Sequence, residues 1–206
     1  MHADDEHYYL AGYSVSADPY VQANGVLINR LGITTTAELN EAEAELVTIR
    51  LAMLTETPVQ GLFDLAHLQA IHAFLFQDIY PWAGELRRVD IGKSDSAFLP
   101  HDNILKVVDA IHADLVAEQY LIGLDSLRFC ERAATYLARI NTMHPFREGN
   151  GRTQRELMQQ LANGAGFYIN WAGVSQEAMK QACIASMVRK DLGPLTRILR
   201  VGLEPL

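Results

Sequence analysis

Apolar residues recur at helical spacing along most of this chain and lose that spacing in one place. Thr35 and Glu38 stand at the spacing of a capping box. The positions that follow, Leu39, Ala42, Leu46, Ile49 and Met53, form a helical stripe ending before Pro58 and Gly61. Asp64 is placed to cap a second helix with Leu65, Leu68, Ile71, Leu75 and Ile79 on one face. Between Gly84 and Pro100 the period disappears. Leu86, Val89 and Ile91 precede a polar Gly92-Lys93-Ser94-Asp95-Ser96 stretch, and Phe98 and Leu99 follow it, which is the pattern of a short hairpin. Helical spacing returns at Ile104, Val107, Val108, Ile111 and Leu115, running up to Gly123. Asp125 then caps a helix with Phe129, Ala133, Tyr136, Leu137 and Ile140 facing inward. Further helices are predicted at about 151–163, 175–190 and 194–201. The predicted fold is all-α, a helical bundle carrying one small β-hairpin. Residues 1–17 show no clear period and read as an irregular N-terminal lead-in, leaving 18–206 as one domain.

Composition narrows the function classes. The chain has 206 residues, 49% hydrophobic and 20% charged, enough to bury a core without disulfide or metal staples. A net charge of −8 argues against non-specific nucleic-acid binding, which needs clustered Lys and Arg. A local cluster of cations would still suffice for a nucleotide. Cys130 and Cys183 are too few for a disulfide framework and sit among apolar neighbours, as buried thiols do. The acidic start, Met1-His2-Ala3-Asp4-Asp5-Glu6, lacks the basic flank and apolar run of a signal peptide, and no apolar stretch is long enough to span a bilayer. The expected compartment is the cytoplasm, with no membrane partner, although an effector delivered by a dedicated secretion machine would look the same.

The chemistry concentrates in His144-Pro145-Phe146-Arg147-Glu148-Gly149-Asn150-Gly151-Arg152-Thr153-Gln154-Arg155. Pro145 disfavours helical geometry at His144, so the preceding helix should stop near Met143. Gly149 and Gly151 bracket Asn150 and allow a tight turn with close approach of a ligand. The helix that follows directs its N–H groups and the positive end of its dipole into that turn, an anion site. Arg152 and Arg155, three apart, share a face. Cations at a helix N-terminus oppose the dipole, so these two, with Arg147, make sense if an anion collects them; Arg grips phosphate in a bidentate way. Glu148 is a hard oxygen ligand of the kind magnesium uses. His144 titrates near neutrality and can accept a proton from a hydroxyl. Singly, each residue has an ordinary structural explanation, and Phe146 reads as a core plug. Their conjunction does not.

This segment resembles the signature of the Fic family, His-Pro-Phe-x-Asp/Glu-Gly-Asn-Gly-Arg-x-x-Arg, with every defining position filled. A chance match at about ten positions is on the order of one in billions or rarer. Ile79-Tyr80-Pro81-Trp82-Ala83-Gly84-Glu85-Leu86-Arg87 is similar to the family's approach to its substrate-binding hairpin, the flap. Asp18-Pro19-Tyr20 and Asn29-Arg30-Leu31-Gly32-Ile33 resemble the opening of compact bacterial toxin-type members, so the similarity covers roughly 18–200. The resemblance implies transfer of AMP from ATP to a Tyr, Ser or Thr hydroxyl of a target protein. It implies His144 as the base and Glu148 as the magnesium ligand. Asn150 with the N–H groups of Gly149 and Gly151 would hold the α-phosphate, Arg152 the β-phosphate and Arg155 the γ-phosphate. The flap, about Asp90–Leu99, would pair with the target's backbone. Lys93 and Phe98 are its contact candidates, and Phe98 could equally hold the hairpin to the core.

The family's inhibitory pattern, Ser/Thr-x-x-x-Glu-Gly/Asn, is absent; Thr34 to Glu38 fails it because Leu39 follows. The resemblance therefore implies a small separate antitoxin whose glutamate reaches Arg155. Targets implied by toxin-type members are ATPase subunits of bacterial type II topoisomerases, and secreted members modify small GTPases. Transfer of UMP, phosphocholine or phosphate, and a non-catalytic scaffold, remain as alternatives. Gly151 stands where the kinase-like relatives carry Lys. His67 and His72, five apart, are poorly spaced for a shared metal, and His101 and His112 lack a zinc-enzyme pattern. Trp82 and Trp171 read as packing residues, and no Gly-x-Ser-x-Gly elbow occurs.

Overall fold

The computed structural model describes residues 18–93 and 96–206, with Lys93 and Ser96 described by backbone alone. The lead-in at 1–17 lies outside the described residues. Polar side chains start four helices by accepting an N–H from the first turn. Thr35 accepts from Glu38 at the head of α1 (Thr36–Glu56), and Asp64 accepts from His67 at the head of α2 (Leu65–Phe76). Asp125 accepts from Arg128 before α4 (Ser126–Met143), and Ser175 from Ala178 before α6 (Gln176–Val188). The remaining helices are α3 (Ile104–Ala117), α5 (Asn150–Gly164) and α7 (Gly193–Gly202). Thr35 and Glu38 also bond side chain to side chain at 2.6 Å, so the capping spacing is realised.

Helix α4 runs through the centre, packed by α3, α5, α6 and α7. Its Phe129, Ala133, Tyr136 and Leu137 are fully buried, as the stripe predicted. Burying each large apolar side chain is worth about 1.5–3 kcal/mol, which fixes the helix in place and with it the site at its C-terminus. Among the described residues no helix is long and apolar enough to cross a membrane.

The all-α reading holds, with four local differences. On α1 the inward line is Leu39, Glu43, Val47 and Leu54, while Ile49 and Met53 are exposed. The apolar residues of this helix surround a buried glutamate, so a stripe drawn through them turns away from the core. Helix α2 stops at Phe76, and Ile79 is buried in the turn beyond it, its N–H bonded to the Phe76 carbonyl. Helix α3 stops at Ala117, short of Gly123. Gln119, Tyr120 and Leu121 then take left-handed conformations, with Leu121 fully buried. Besides the hairpin of β1 (Gly92–Lys93) and β2 (Ser96–Ala97), a second antiparallel ladder pairs β3 (Phe167–Ile169) with β4 (Leu203–Pro205). The chain enters β4 through Gly202, where a Cβ would stand 2.6 Å from the Asn170 carbonyl oxygen. Strands of three residues, one ending at Pro205, are too short to show alternation.

The end of α3 is tied to α4 by Glu118. Its two oxygens accept from Arg132 Nε at 2.7 Å and Nη2 at 2.5 Å, and Tyr136 Oη donates to the same carboxylate at 2.8 Å. These bonds, Arg132 foremost, hold the Glu118 carboxyl below its usual value. A depressed carboxyl stabilises the fold above its unfolded pKa and loses that contribution as pH falls. Glu118→Gln should therefore lower stability at pH 7 by about 1 kcal/mol, a figure kept small because Arg132 is partly exposed. In thermal melts of both proteins the difference should shrink as pH falls below the ordinary glutamate value of 4.5.

Candidate active site

The end of α4 is a sharp turn. His144 caps it in a left-handed conformation (φ 45°), its N–H still bonded to the Ile140 carbonyl, and Pro145 prevents any further helical turn. The imidazole is buried, and its Nδ1 lies 3.1 Å from the Asn141 carbonyl oxygen. Only a protonated nitrogen can donate there, which fixes the tautomer and puts the lone pair of the neutral ring on Nε2.

Six residues after His144 α5 begins. Gly149 caps it at φ 81°, and a Cβ there would fall 2.3 Å from the Phe76 ring, so both backbone and space require glycine. Asn150 accepts from the Phe146 N–H at 2.9 Å and donates to the Phe146 carbonyl at 2.8 Å. Its side chain, expected on a phosphate, here closes the loop. Phe146 is fully buried, the predicted plug, and stacks on His72 at 3.9 Å. His72 Nδ1 accepts the Gly84 N–H at 2.8 Å, and its Nε2–H donates to the Glu148 carbonyl at 3.0 Å. Burial pulls the His72 pKa down to about 3, so this linker between the approach to the flap and the loop stays neutral.

The charges divide into two sets. Arg147, grouped by sequence with the phosphate clamps, is buried against Asp18: its Nε and Nη2 each lie 3.0 Å from Asp18 Oδ2. It anchors the N-terminal segment to the loop. Glu148, Arg152 and Arg155, together with Arg147 itself, line a cleft of about 880 Å³ bordered also by His144 and Gly151; of these arginines Arg147 alone is paired with Asp18. Glu148 accepts the Gly149 N–H at 2.8 Å and lies 3.6 Å from Arg152. Burial, and then the neighbouring Glu43 carboxylate, raise its pKa above the usual carboxylate range. Burial opposes the Arg152 charge, but Glu43 and Glu148 outweigh it and hold that guanidinium above its ordinary value. Arg155 is lowered by burial and by its like-charged neighbour Arg152. No carboxylate among the described residues pairs with it. Two arginines in the opening turns of α5, against the helix dipole, make the cleft attractive to a multiply charged anion.

The flap closes over His144. Phe98 stacks on the imidazole at 3.7 Å and 13°, a contact that holds the hairpin against His144. Lys93 pairs with Ser96 across the hairpin; its side chain lies outside the described residues. Beneath the flap is Arg87, 2% exposed, whose role the sequence did not reveal. It donates to the carbonyls of His144 (2.7 Å), Val89 (2.8 Å), Met143 (3.2 Å) and Leu99. Its own N–H donates to the Pro145 carbonyl at 2.9 Å. Burial lowers its pKa to about 10, which leaves it charged at neutral pH. Sequence reasoning likewise missed Glu43, one of several glutamates on α1. His67 and His72 are core residues, and Trp82 is buried, as predicted. Cys130 is buried, whereas Cys183 is partly accessible and lines the cleft.

A histidine with its lone pair fixed on Nε2, a carboxylate, a glycine-bracketed helix N-terminus and two arginines meet in one cleft beside the hairpin. The model of the Fic/DOC family matches residues 62–162. The chain is 42% identical over 167 residues to a probable protein adenylyltransferase Fic of Escherichia coli K12, covering 80% of this chain and 82% of that one. It is 44% identical over 203 residues to the protein adenylyltransferase VbhT of Bartonella schoenbuchensis, of whose length it spans 42%. In structure it is similar to the BepC effector protein of Bartonella tribocorum with bound AMPPNP. That likeness has a TM-score of 0.85 at 26% identity and covers 91% of this chain and 97% of that one. The chain belongs to the Fic/DOC family.

Arg87→Lys keeps the charge and loses the fork that reaches four carbonyls. It should cost about 2–3 kcal/mol, since buried carbonyls are left unsatisfied. Amide exchange should rise at the Leu99 N–H, which donates to the Thr142 carbonyl, before it rises in the α4 core.

Proposed function

We propose that this chain transfers AMP from magnesium–ATP to a hydroxyl side chain of another protein. The observation that carries the reading is the pairing of a tautomer-fixed His144 with the arginine-bearing N-terminus of α5 across one cleft. The names of the relatives, protein adenylyltransferases, and the AMPPNP bound to the structural neighbour support it.

In this reading Nε2 of His144 takes the proton of the target hydroxyl as its oxygen bonds to the α-phosphorus. The bond from that phosphorus to the bridging oxygen breaks, and pyrophosphate leaves. The N–H groups of Gly149 and Gly151 face the α-phosphate, and Asn150 contributes the amide proton that Phe146 does not use. Arg152 grips the β-phosphate and Arg155 the γ-phosphate, as preorganised charges that need no rearrangement when negative charge moves onto the leaving group. The donor set suits magnesium: Glu148 supplies one hard carboxylate oxygen, and the phosphates and water would complete the shell. Among the described residues no three His, Cys, Asp or Glu converge to hold a metal by themselves. When bound, the cation would neutralise phosphate charge and polarise the α-phosphoryl group. A Glu148 turned toward it would release the Gly149 N–H for a phosphate oxygen.

The hairpin edge would take up the target's backbone as an added strand, with Phe98 and Lys93 beside the hydroxyl. We assign the chain to the cytoplasm as a toxin acting on ATPase subunits of type II topoisomerases. A small antitoxin would restrain it through a glutamate placed on Arg155. That guanidinium, with no described carboxylate beside it, is the point where a partner's carboxylate would exclude the γ-phosphate.

Incubating the purified chain with magnesium and α-labelled ATP in a bacterial lysate should label a target protein, and γ-labelled ATP should not. His144→Ala should lower labelling at least about a thousandfold, the scale of a lost base together with its positioning, while ATP affinity stays within a few-fold. Label from the γ position alone would make the reaction a phosphate transfer. Loss of ATP binding in His144→Ala would make His144 structural.

A further inference from the structure

The inner face of α1 carries Leu39, Val47 and Leu54 and, among them, one carboxylate: Glu43, 7% exposed. A buried charge is retained only when it is paired. Glu43 is paired on both oxygens. Oε1 lies 2.5 Å from Arg152 Nη2, and Oε2 accepts from the hydroxyl of Tyr80. Tyr80 is itself immobilised, buried and stacked on Trp82 at 4.3 Å and 15°. The guanidinium of Arg152 also lies over the Phe76 ring, 4.9 Å from its centroid. It is thus held at one edge by Glu43 and across one face by Phe76, and it still lines the cleft.

From this geometry we infer that Glu43 is a positioning residue for Arg152, presenting it to the nucleotide in one preset orientation; the inference rests on the nucleotide reading of the cleft. Three forces act on Arg152. The dipole of α5 and the neighbouring Arg155 both oppose its charge. Glu148, one turn earlier at 3.6 Å, offers a competing carboxylate. An arginine left to that competition would turn onto Glu148, the group assigned to the cation, and both would be lost to the phosphates. Glu43 makes the shorter contact and comes from a different helix, so it fixes the fork in place and leaves Glu148 to the cleft. A side chain ordered in advance loses less freedom when the ligand arrives.

The test is a double-mutant cycle read by calorimetric titration of ATP in excess magnesium, beside melting temperatures. Glu43→Ala should weaken ATP binding about tenfold in the wild-type background and less than twofold in Arg152→Ala. Glu43→Gln keeps an oxygen for Arg152 and should retain affinity within about threefold. If Glu43→Ala does not fold, the same cycle is run with Glu43→Gln, whose smaller effect should likewise vanish in Arg152→Ala. An equal loss in both backgrounds, or a lowered melting temperature with unchanged ATP affinity, would overturn the positioning role and leave Glu43 a structural ion pair. A wild-type chain that binds no ATP would overturn the nucleotide reading itself.

Discussion

At the C-terminus of α4 the carbonyls of Met143 and His144 have no further helical turn to receive them, and both are buried under the flap. Arg87 takes them. The same guanidinium reaches Val89 on one side of the hairpin and Leu99 on the other. A cation is the suitable donor here, because the carbonyl end of a helix carries partial negative charge. With one side chain satisfying the helix end and both legs of the hairpin, the distance between flap and base is set by a rigid planar fork. The stacking of Phe98 on His144 follows from that constraint and does not establish it. Without Arg87 four carbonyls, two buried and two half-buried, would need water, and the hairpin would keep only its own short ladder, the Leu99–Thr142 bond and the Phe98 stack.

The loop below is fixed by a second, largely uncharged device. Tyr80, Trp82, His72 and Phe146 form a column of rings, with neighbouring pairs at interplanar angles of 15°, 25° and 16°. His72 belongs both to that column and to the hydrogen bonds joining Gly84 to Glu148. A neutral histidine suits the position because one nitrogen must accept and the other donate. Gly149 turns the chain where the ring of Phe76 leaves no room for a Cβ, and the first N–H groups of α5 then open onto the cleft. Packing thus sets the loop, and the arginines are placed on a backbone that is already determined.

How much of this could be read from the sequence depended on the range of the interaction. Caps at Thr35, Asp64 and Asp125 lie within three residues of what they cap, and the composition of each helix start discloses them; the Ser175 cap of α6 was not named from the sequence. The stop at His144 was legible for the same reason, since Pro145 acts on its neighbour. Arg87 and Glu43 were not legible, because their partners lie far away in sequence and neither sits in a local pattern. Glu43 misdirected the reading of its own helix: discounted as a core position, it turned the apparent stripe toward Ile49 and Met53. Arg147 failed in the opposite sense. Sequence places it beside Glu148 and the two arginines of α5, but its partner, Asp18, enters from the N-terminal segment, so Arg147 meets the cleft wall with its charge already paired.

The two arginines of α5 are one turn apart, yet the fold treats them differently. Arg152 has Glu43 and Glu148 for company and a ring beneath it, and those carboxylates hold it firmly charged. Arg155 has burial and a like charge against it, and no described carboxylate answers them. A charge supported from within the chain is preorganised for whatever anion arrives beside it. A charge left without such support gains most from an external anion. It is therefore the point at which the presence of one particular anion is decisive, whether a terminal phosphate or a carboxylate on a partner. In the proposed reading the asymmetry separates two tasks: Arg152 presents a preset charge to the nucleotide, and Arg155 answers to whichever anion occupies the cleft.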